Sequence, residues 1–198
     1  RHNIYFVDDD PAILRSVREI LEQQYEVDCY QDGGQALTEA QQTPCDLLIT
    51  DINMPKVDGI RLIKEFRKFF PLTPIIVLTG YGDVAEAQKA ISLGANDFLE
   101  KPFDRTGFLV TIEHLLGTYD TLKQVSREFS LSQMQFIMLQ HIIAGKGIKE
   151  SAFAMNRSDR TLESHRYKLM KKMKANSAIE ILTHPGILRY SLLANNTM

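Results

Sequence analysis

Three consecutive carboxylates, Asp8, Asp9 and Asp10, follow directly on the apolar run IYFV at 4–7. Adjacent acids repel one another and resist burial, so water, a backbone to cap or a cation must answer them. Other reactive side chains stand in matching places. Asp51 follows LLIT (47–50), Thr79 follows IIVL (75–78), and Lys101 follows DFLE (97–100). If these runs are neighbouring strands of one sheet, carboxylates, a hydroxyl and an ammonium meet at a single edge. Asp8, Asp9 and Asp51 then need a hard cation that prefers oxygen, most simply Mg²⁺. Asp10 has a different task, because Pro11 at a first helical position marks it as a helix N-cap.

The elements that must position these groups alternate. Strand-like runs at 4–7, 27–30, 47–50, 75–78 and 97–100 are separated by helical stretches at 12–23, 34–41, 60–69, 85–93 and 106–116. Runs apolar along their whole length imply strands covered on both faces, hence a parallel, doubly wound sheet of five strands. In such sheets ligands sit at the carboxyl ends of the strands, where the strand order reverses. Beyond 118, a helical linker (119–128) leads to a second domain, 129–198, in which 132–173 shows only helical periods with a break at Gly145 and Gly147.

Composition agrees with two domains. The net charge of −2 hides an asymmetry: residues 1–125 hold 12 Lys plus Arg against 20 Asp plus Glu, and 126–198 hold 11 against 5. A basic second part suits a polyanion. Cys29 and Cys45 fit no metal or redox spacing and read as reduced thiols. No run approaches the roughly 18 apolar residues of a membrane span, and the opening RHNIYFV lacks a secretion pattern, so the expected location is the cytoplasm, without a membrane partner.

VDDDP (7–11), TDINMPKVDG (50–59), LTGYG (78–82) and FLEKPF (98–103), in this order and spacing, resemble the receiver domain of two-component response regulators, over about 3–118. The resemblance implies a flavodoxin-like fold, with Asp51 as phosphoacceptor. It implies Asp8, Asp9, Asp51 and the backbone carbonyl of Asn53 as Mg²⁺ ligands, and Thr79 as the switch hydroxyl. Phe98 becomes the switch aromatic and Lys101 the phosphate contact before a cis peptide to Pro102. Chemistry makes these roles reasonable: a carboxylate can attack phosphorus if a metal and an ammonium neutralise the phosphoryl oxygens. Phe98 departs from the commoner tyrosine, which leaves ring burial alone to report the switch. An aspartate-nucleophile phosphatase of the haloacid dehalogenase type is the enzymatic rival, but it carries a second Asp two residues after the first. Asn53 stands there, which favours a persisting signal over turnover, and no enzyme is expected.

In the second domain Ser132 and Gln135 form a capping box, and Ile137, Met138, Ile142 and Ile143 give a buried helical face ended by Gly145. A short helix follows at 149–155. Asn156 takes the turn, and Ser158 caps a third helix running to about Met173, so the pair reads as a helix-turn-helix. On the third helix Leu162, Leu169 and Met173 share one face, which turns Arg160, Ser164, Tyr167, Lys168 and Lys171 outward.

The stretch SDRTLESHRYKLMKKMKANSAIEIL resembles the recognition helix and following turn of the LuxR (FixJ/NarL) type of DNA-binding domain, over about 129–183. That resemblance places Glu163, Ser164 and Tyr167 at base edges and Thr161, His165, Lys168 and Lys171 at phosphates, and Arg160 on the same outward face is also expected to bind DNA. Lys146, Asn156 and Arg157 depart from the family pattern around the turn. The tail, 183–198, offers nothing beyond one short helical stretch. The expected protein is a phosphorylation-regulated transcription factor, loaded on Asp51 by a cognate histidine kinase. It binds double-stranded promoter DNA, as a phosphorylation-dependent homodimer. The rival from another class is a receiver whose helical domain binds protein or RNA.

Overall fold

The computed structural model describes residues 1–80 and 84–195. Tyr81 and Gly82 of the LTGYG motif and the last three residues of the tail lie outside them. Five strands, β1 (Asn3–Val7), β2 (Glu26–Tyr30), β3 (Leu47–Asp51), β4 (Ile75–Thr79) and β5 (Asp97–Glu100), form one parallel sheet in the order β2-β1-β3-β4-β5. The helices α1 (Pro11–Leu21), α2 (Gly33–Ala40), α3 (Gly59–Phe69) and α4 (Val84–Ser92) connect them, and α5 (Arg105–Glu128) follows. Every residue of β3 and β4 is buried, which is why those strands are apolar up to Thr50–Asp51 and Thr79 at their ends, whereas the edge strands β2 and β5 are partly exposed. The expected flavodoxin-like, doubly wound sheet is what the chain forms.

Register aligns the strand ends. Val7 pairs with Thr50, Asp51 with Leu78, and Thr79 with Glu100, so the residues that follow each strand emerge at one edge. Strand order reverses between β1 and β3, and the loops after those two strands therefore open a crevice at that edge.

The chain divides into two compact units, one of Arg1–Arg67 with Thr73–Leu116 and the other of Lys68–Leu72 with Gly117–Met198. The expected helical linker, 119–128, is the C-terminal part of α5, which runs unbroken for 24 residues. Its apolar period persists through Leu115, Leu116, Tyr119, Leu122 and Val125, all buried, and no proline interrupts it.

In the second unit α6 (Gln133–Ile143), α7 (Ile148–Ala154) and α8 (Asp159–Met173) pack together, followed by α9 (Ala178–Leu182) and α10 (Pro185–Asn195). The capping box of Ser132 and Gln135 forms as expected. Asn156 sits in the left-handed region at φ 49°, and Ser158 accepts a hydrogen bond from the Thr161 amide. The tail holds more order than the sequence promised. Pro185 opens an 11-residue helix whose Ile187 and Tyr190, three residues apart, are buried.

Candidate functional site

Asp8 follows β1, and its amide donates to the Tyr30 carbonyl at 3.1 Å, which holds the chain in strand geometry for one residue more. Its side chain is therefore directed, and the residue is 1 % exposed. One carboxylate oxygen, Oδ1, accepts from the Asp10 amide at 2.9 Å, and the other, Oδ2, accepts from Lys101 Nζ at 2.7 Å. Asp51 closes β3 at 7 % exposure. Its Oδ1 accepts from the same Lys101 Nζ at 2.6 Å, and its Oδ2 accepts from the Asn53 amide at 2.9 Å. One ammonium thus spans the two carboxylates at the point where strand order reverses.

Lys101 owes its place to β5. Its amide donates to the Thr79 carbonyl at 2.8 Å, continuing the β4–β5 pairing by one residue, and the Lys101–Pro102 peptide is cis, as expected. Thr79 ends β4 and is 3 % exposed. Phe98 points outward at 45 % exposure, on the edge strand next to β4. Asp10 caps α1 through the Ala12 amide at 2.7 Å, with Pro11 at the first helical position.

Burial of the Asp51 carboxyl raises its pKa, and the neighbouring Lys101 ammonium, which works the other way, does not cancel the effect. Burial also works against the charge on Lys101. The hydrogen bonds to Asp51 and Asp8 outweigh it, so the ammonium stands above its ordinary value and is charged at neutral pH.

Asp9 does not join this cluster: it is exposed, because successive side chains along an extended chain point to opposite sides and Asp8 takes the inward one. Among the described residues no three of His, Cys, Asp and Glu stand close enough to hold a metal by themselves. The donor chemistry nevertheless fits Mg²⁺, since the crevice offers carboxylate oxygens and no sulfur or imidazole nitrogen around an ammonium that already balances two anions.

The backbone around Asp51 is closely built. A Cβ at Gly59 would lie 2.2 Å from the Asp51 carbonyl oxygen, so only glycine lets α3 begin here, and the Gly59 amide donates to the Ile52 carbonyl at 2.9 Å. Lys56 lies in the left-handed region at φ 67°, with its Nζ 3.5 Å from Asp32, which caps α2 through the Gly34 amide at 2.6 Å. Sequence reasoning missed both the contact of Gly59 with Asp51 and the Asp32–Lys56 pair. The first is a backbone approach and the second joins distant loops, and neither leaves a local signal.

In the second unit Leu162, Leu169 and Met173 are the buried residues of α8. Arg160, Thr161, Glu163, Ser164, Tyr167, Lys168 and Lys171 are exposed, as the expected outward face requires. His165 is half-buried, and burial, followed by the charges of Lys168 and Arg157, lowers its pKa. His141, whose role sequence reasoning missed, is fully buried with its Nδ1 2.8 Å from Ser151 Oγ. Burial holds its pKa down to about 4.

Two family models match the chain: the response regulator receiver domain over residues 4–113, and the bacterial regulatory proteins of the luxR family over 129–184. The transcriptional regulatory protein FixJ of Azorhizobium caulinodans is 33% identical, over 96% of this chain and 92% of that protein. The response regulator protein TmoT of Ectopseudomonas mendocina is 30% identical, over 96% and 90% respectively. Among solved structures, full-length FixJ from B. japonicum covers 99% of this chain and 98% of its own, at 31% identity and a TM-score of 0.55. A response regulator receiver domain protein from Clostridium thermocellum covers 62% of this chain and 99% of its own, at 29% identity and a TM-score of 0.59.

Proposed function

The chain belongs to the response regulators that join a receiver domain to a luxR-family regulatory domain, and from that premise we propose that Asp51 is the residue through which its activity is switched. The protein is a phosphorylation-regulated, DNA-binding transcription regulator. The observation that carries the assignment of Asp51 is its pairing with Lys101, which at 2.6 Å lies beside the carboxylate at the reversal of strand order.

In this reading residues 1–118 receive the phosphoryl group, 119–128 connect, and 129–198 bind DNA. An oxygen of Asp51 attacks phosphorus in a phosphohistidine of the cognate kinase, or in a small phosphodonor, while the bond from phosphorus to the donor breaks. Lys101 stays near enough to Asp51 to neutralise a phosphoryl oxygen. Asp8, Asp9, Asp51 and the Asn53 carbonyl would hold Mg²⁺, which supplies charge neutralisation for the remaining oxygens. The Asn53 amide, bonded to Asp51 Oδ2, fixes the orientation of the carboxylate, whose other oxygen, Oδ1, faces Lys101 Nζ. The chain itself turns over no substrate, and its place is the cytoplasm. Among the described residues no helix is long and apolar enough to cross a membrane.

The phosphoryl oxygens then offer new acceptors to the Thr79 hydroxyl. Its movement makes room for Phe98 to leave its exposed position, and this remodels the surface of α4, β5 and the first half of α5. That surface exposes Val84, Ile91, Phe98 and Val110. A second copy of the chain meets it, and two α8 helices are brought to adjacent half-sites on duplex DNA. Arg160, Thr161, His165, Lys168 and Lys171 serve phosphates, while Glu163, Ser164 and Tyr167 serve base edges. Sedimentation equilibrium with and without phosphodonor tests this chain of events. The dimer constant must tighten on phosphorylation, and Thr79→Ala must blunt the change. A monomer that gains DNA affinity on phosphorylation without dimerising would remove the dimer step.

A further inference from the structure

Arg67, in the last turn of α3, makes more hydrogen bonds than a surface arginine needs. Its Nε and Nη2 both donate to the Gly94 carbonyl, at 3.0 and 2.7 Å, and Nη2 also reaches Asn96 Oδ1 at 3.0 Å. Its Nη1 donates to the Thr73 carbonyl. Asn96 is fixed in turn, since its Oδ1 accepts from the Ile75 amide at 2.9 Å and its own amide donates to the Ile75 carbonyl at 2.8 Å. One guanidinium therefore joins the end of α3, the approach to β4 and the connection from α4 to β5. All its named acceptors are neutral oxygens, so the contact is built by the geometry of a planar fork.

The arrangement closes one end of α4 and leaves the rest lightly held. Gly94, at φ 103°, ends the helix, and the Gly94 and Ala95 amides donate to the carbonyls of Ile91 and Ala90. A Cβ at Gly94 would lie 3.0 Å from Arg67 Nε, so the glycine both permits the turn and admits the guanidinium. A positive charge at this position also complements the partial negative charge of a helix C-terminus. Along its body, α4 buries only Ala87 and Ala90, whereas α3 buries Leu62, Ile63 and Phe66. An alanine methyl contributes a fraction of the roughly 1.5–3 kcal/mol of a buried leucine or phenylalanine, so α4 is held far more firmly at its C-terminal end than along its length.

The geometry points to Arg67 as the anchor about which α4 turns when the receiver switches. It is a positioning residue that fixes residues 93–96 so that a change beginning at Thr79 is expressed as rotation of α4 and not as loss of its attachment. This rests on the phosphorylation reading, apart from the exchange pattern of the unmodified chain, which is independent of it.

Amide hydrogen exchange on the full chain, unmodified and with Mg²⁺ and acetyl phosphate, tests it in the wild type, Arg67→Ala and Arg67→Lys. In the unmodified wild type, amides 93–96 should exchange at least about tenfold more slowly than amides 86–90, and acetyl phosphate should alter the second group only. Arg67→Ala should remove that protection. Labelling of Asp51 should stay within about twofold, while the gain in DNA affinity on phosphorylation should fall to less than about a third of the wild-type gain. Arg67→Lys keeps the charge but not the fork and should behave like alanine; it carries the comparison if Arg67→Ala does not fold. Equal exchange at 93–96 and 86–90 in the unmodified wild type overturns the anchor. So does a variant that melts lower yet keeps the whole gain in DNA affinity. A wild type without any such gain would instead count against the functional reading, and the exchange pattern would still decide the anchor.

Discussion

The Nζ of Lys101 lies 2.6 Å from Oδ1 of Asp51, and the same ammonium also holds Asp8 at 2.7 Å. Replacing it with an uncharged side chain, as in Lys101→Met, leaves two buried carboxylates without the cation between them. Phosphorylation from a small donor should slow by about a hundredfold, the usual order for losing one charge-stabilising group from a transition state. Because the oxygen donors remain, a rise in melting temperature on adding Mg²⁺ should persist in the variant. Labelling at the wild-type rate would remove Lys101 from the reaction.

Gly59 should tolerate no side chain. Alanine there must relieve a 2.2 Å approach to the Asp51 carbonyl, so either α3 or the acceptor's backbone shifts. Gly59→Ala should destabilise the fold by about 1–3 kcal/mol in urea and slow labelling even in the fraction that remains folded. A variant as stable and as reactive as the wild type would show that the approach at Gly59 does not constrain Asp51.

His141 makes stability depend on pH. The folded protein keeps it neutral down to about pH 4, whereas the unfolded chain accepts a proton near the ordinary value of 6.5. Its contribution is therefore complete above pH 6.5 and is lost as the pH falls toward 4. The full span is on the order of 3 kcal/mol. Urea midpoints measured between pH 7 and 4.5 should fall steeply in the wild type and less so in His141→Gln. Equal slopes would assign the pH dependence to other groups.

On α8, Lys168→Ala or Lys171→Ala should weaken promoter and scrambled duplexes alike and lower the salt slope by about one unit. Changing Ser164 or Tyr167 should mainly erase preference between sequences, at roughly 1–3 kcal/mol per lost base contact. If Lys168→Ala altered sequence preference and left the salt slope alone, the assignment of faces on α8 would be wrong.

The strand ends were legible in the sequence because short apolar runs stop abruptly at Asp8, Asp51, Thr79 and Lys101, and a parallel sheet aligns such stops by its register. The outward face of α8 was legible for a similar reason, as Leu162, Leu169 and Met173 repeat at helical spacing. The split between Asp8 and Asp9 was not legible, because a run of identical acids does not say which one is buried; the alternation of an extended chain buries Asp8 and leaves Asp9 exposed. Arg67 left no trace, since its named partners are two backbone carbonyls and an asparagine amide, and their positions exist only after folding. Residues 119–128 were legible as helical, but not their continuity with the helix before them, which the buried period through Tyr119, Leu122 and Val125 carries.

The account stands most directly on the site of phosphorylation. The full chain, incubated with Mg²⁺ and acetyl phosphate, should gain one phosphoryl group by intact mass. Hydroxylamine should remove it, because an acyl phosphate is open to attack at the carboxyl carbon. Fragmentation should place the group on Asp51, and Asp51→Asn should gain nothing. Full labelling of Asp51→Asn, or a phosphoryl group that resists hydroxylamine, would contradict the account.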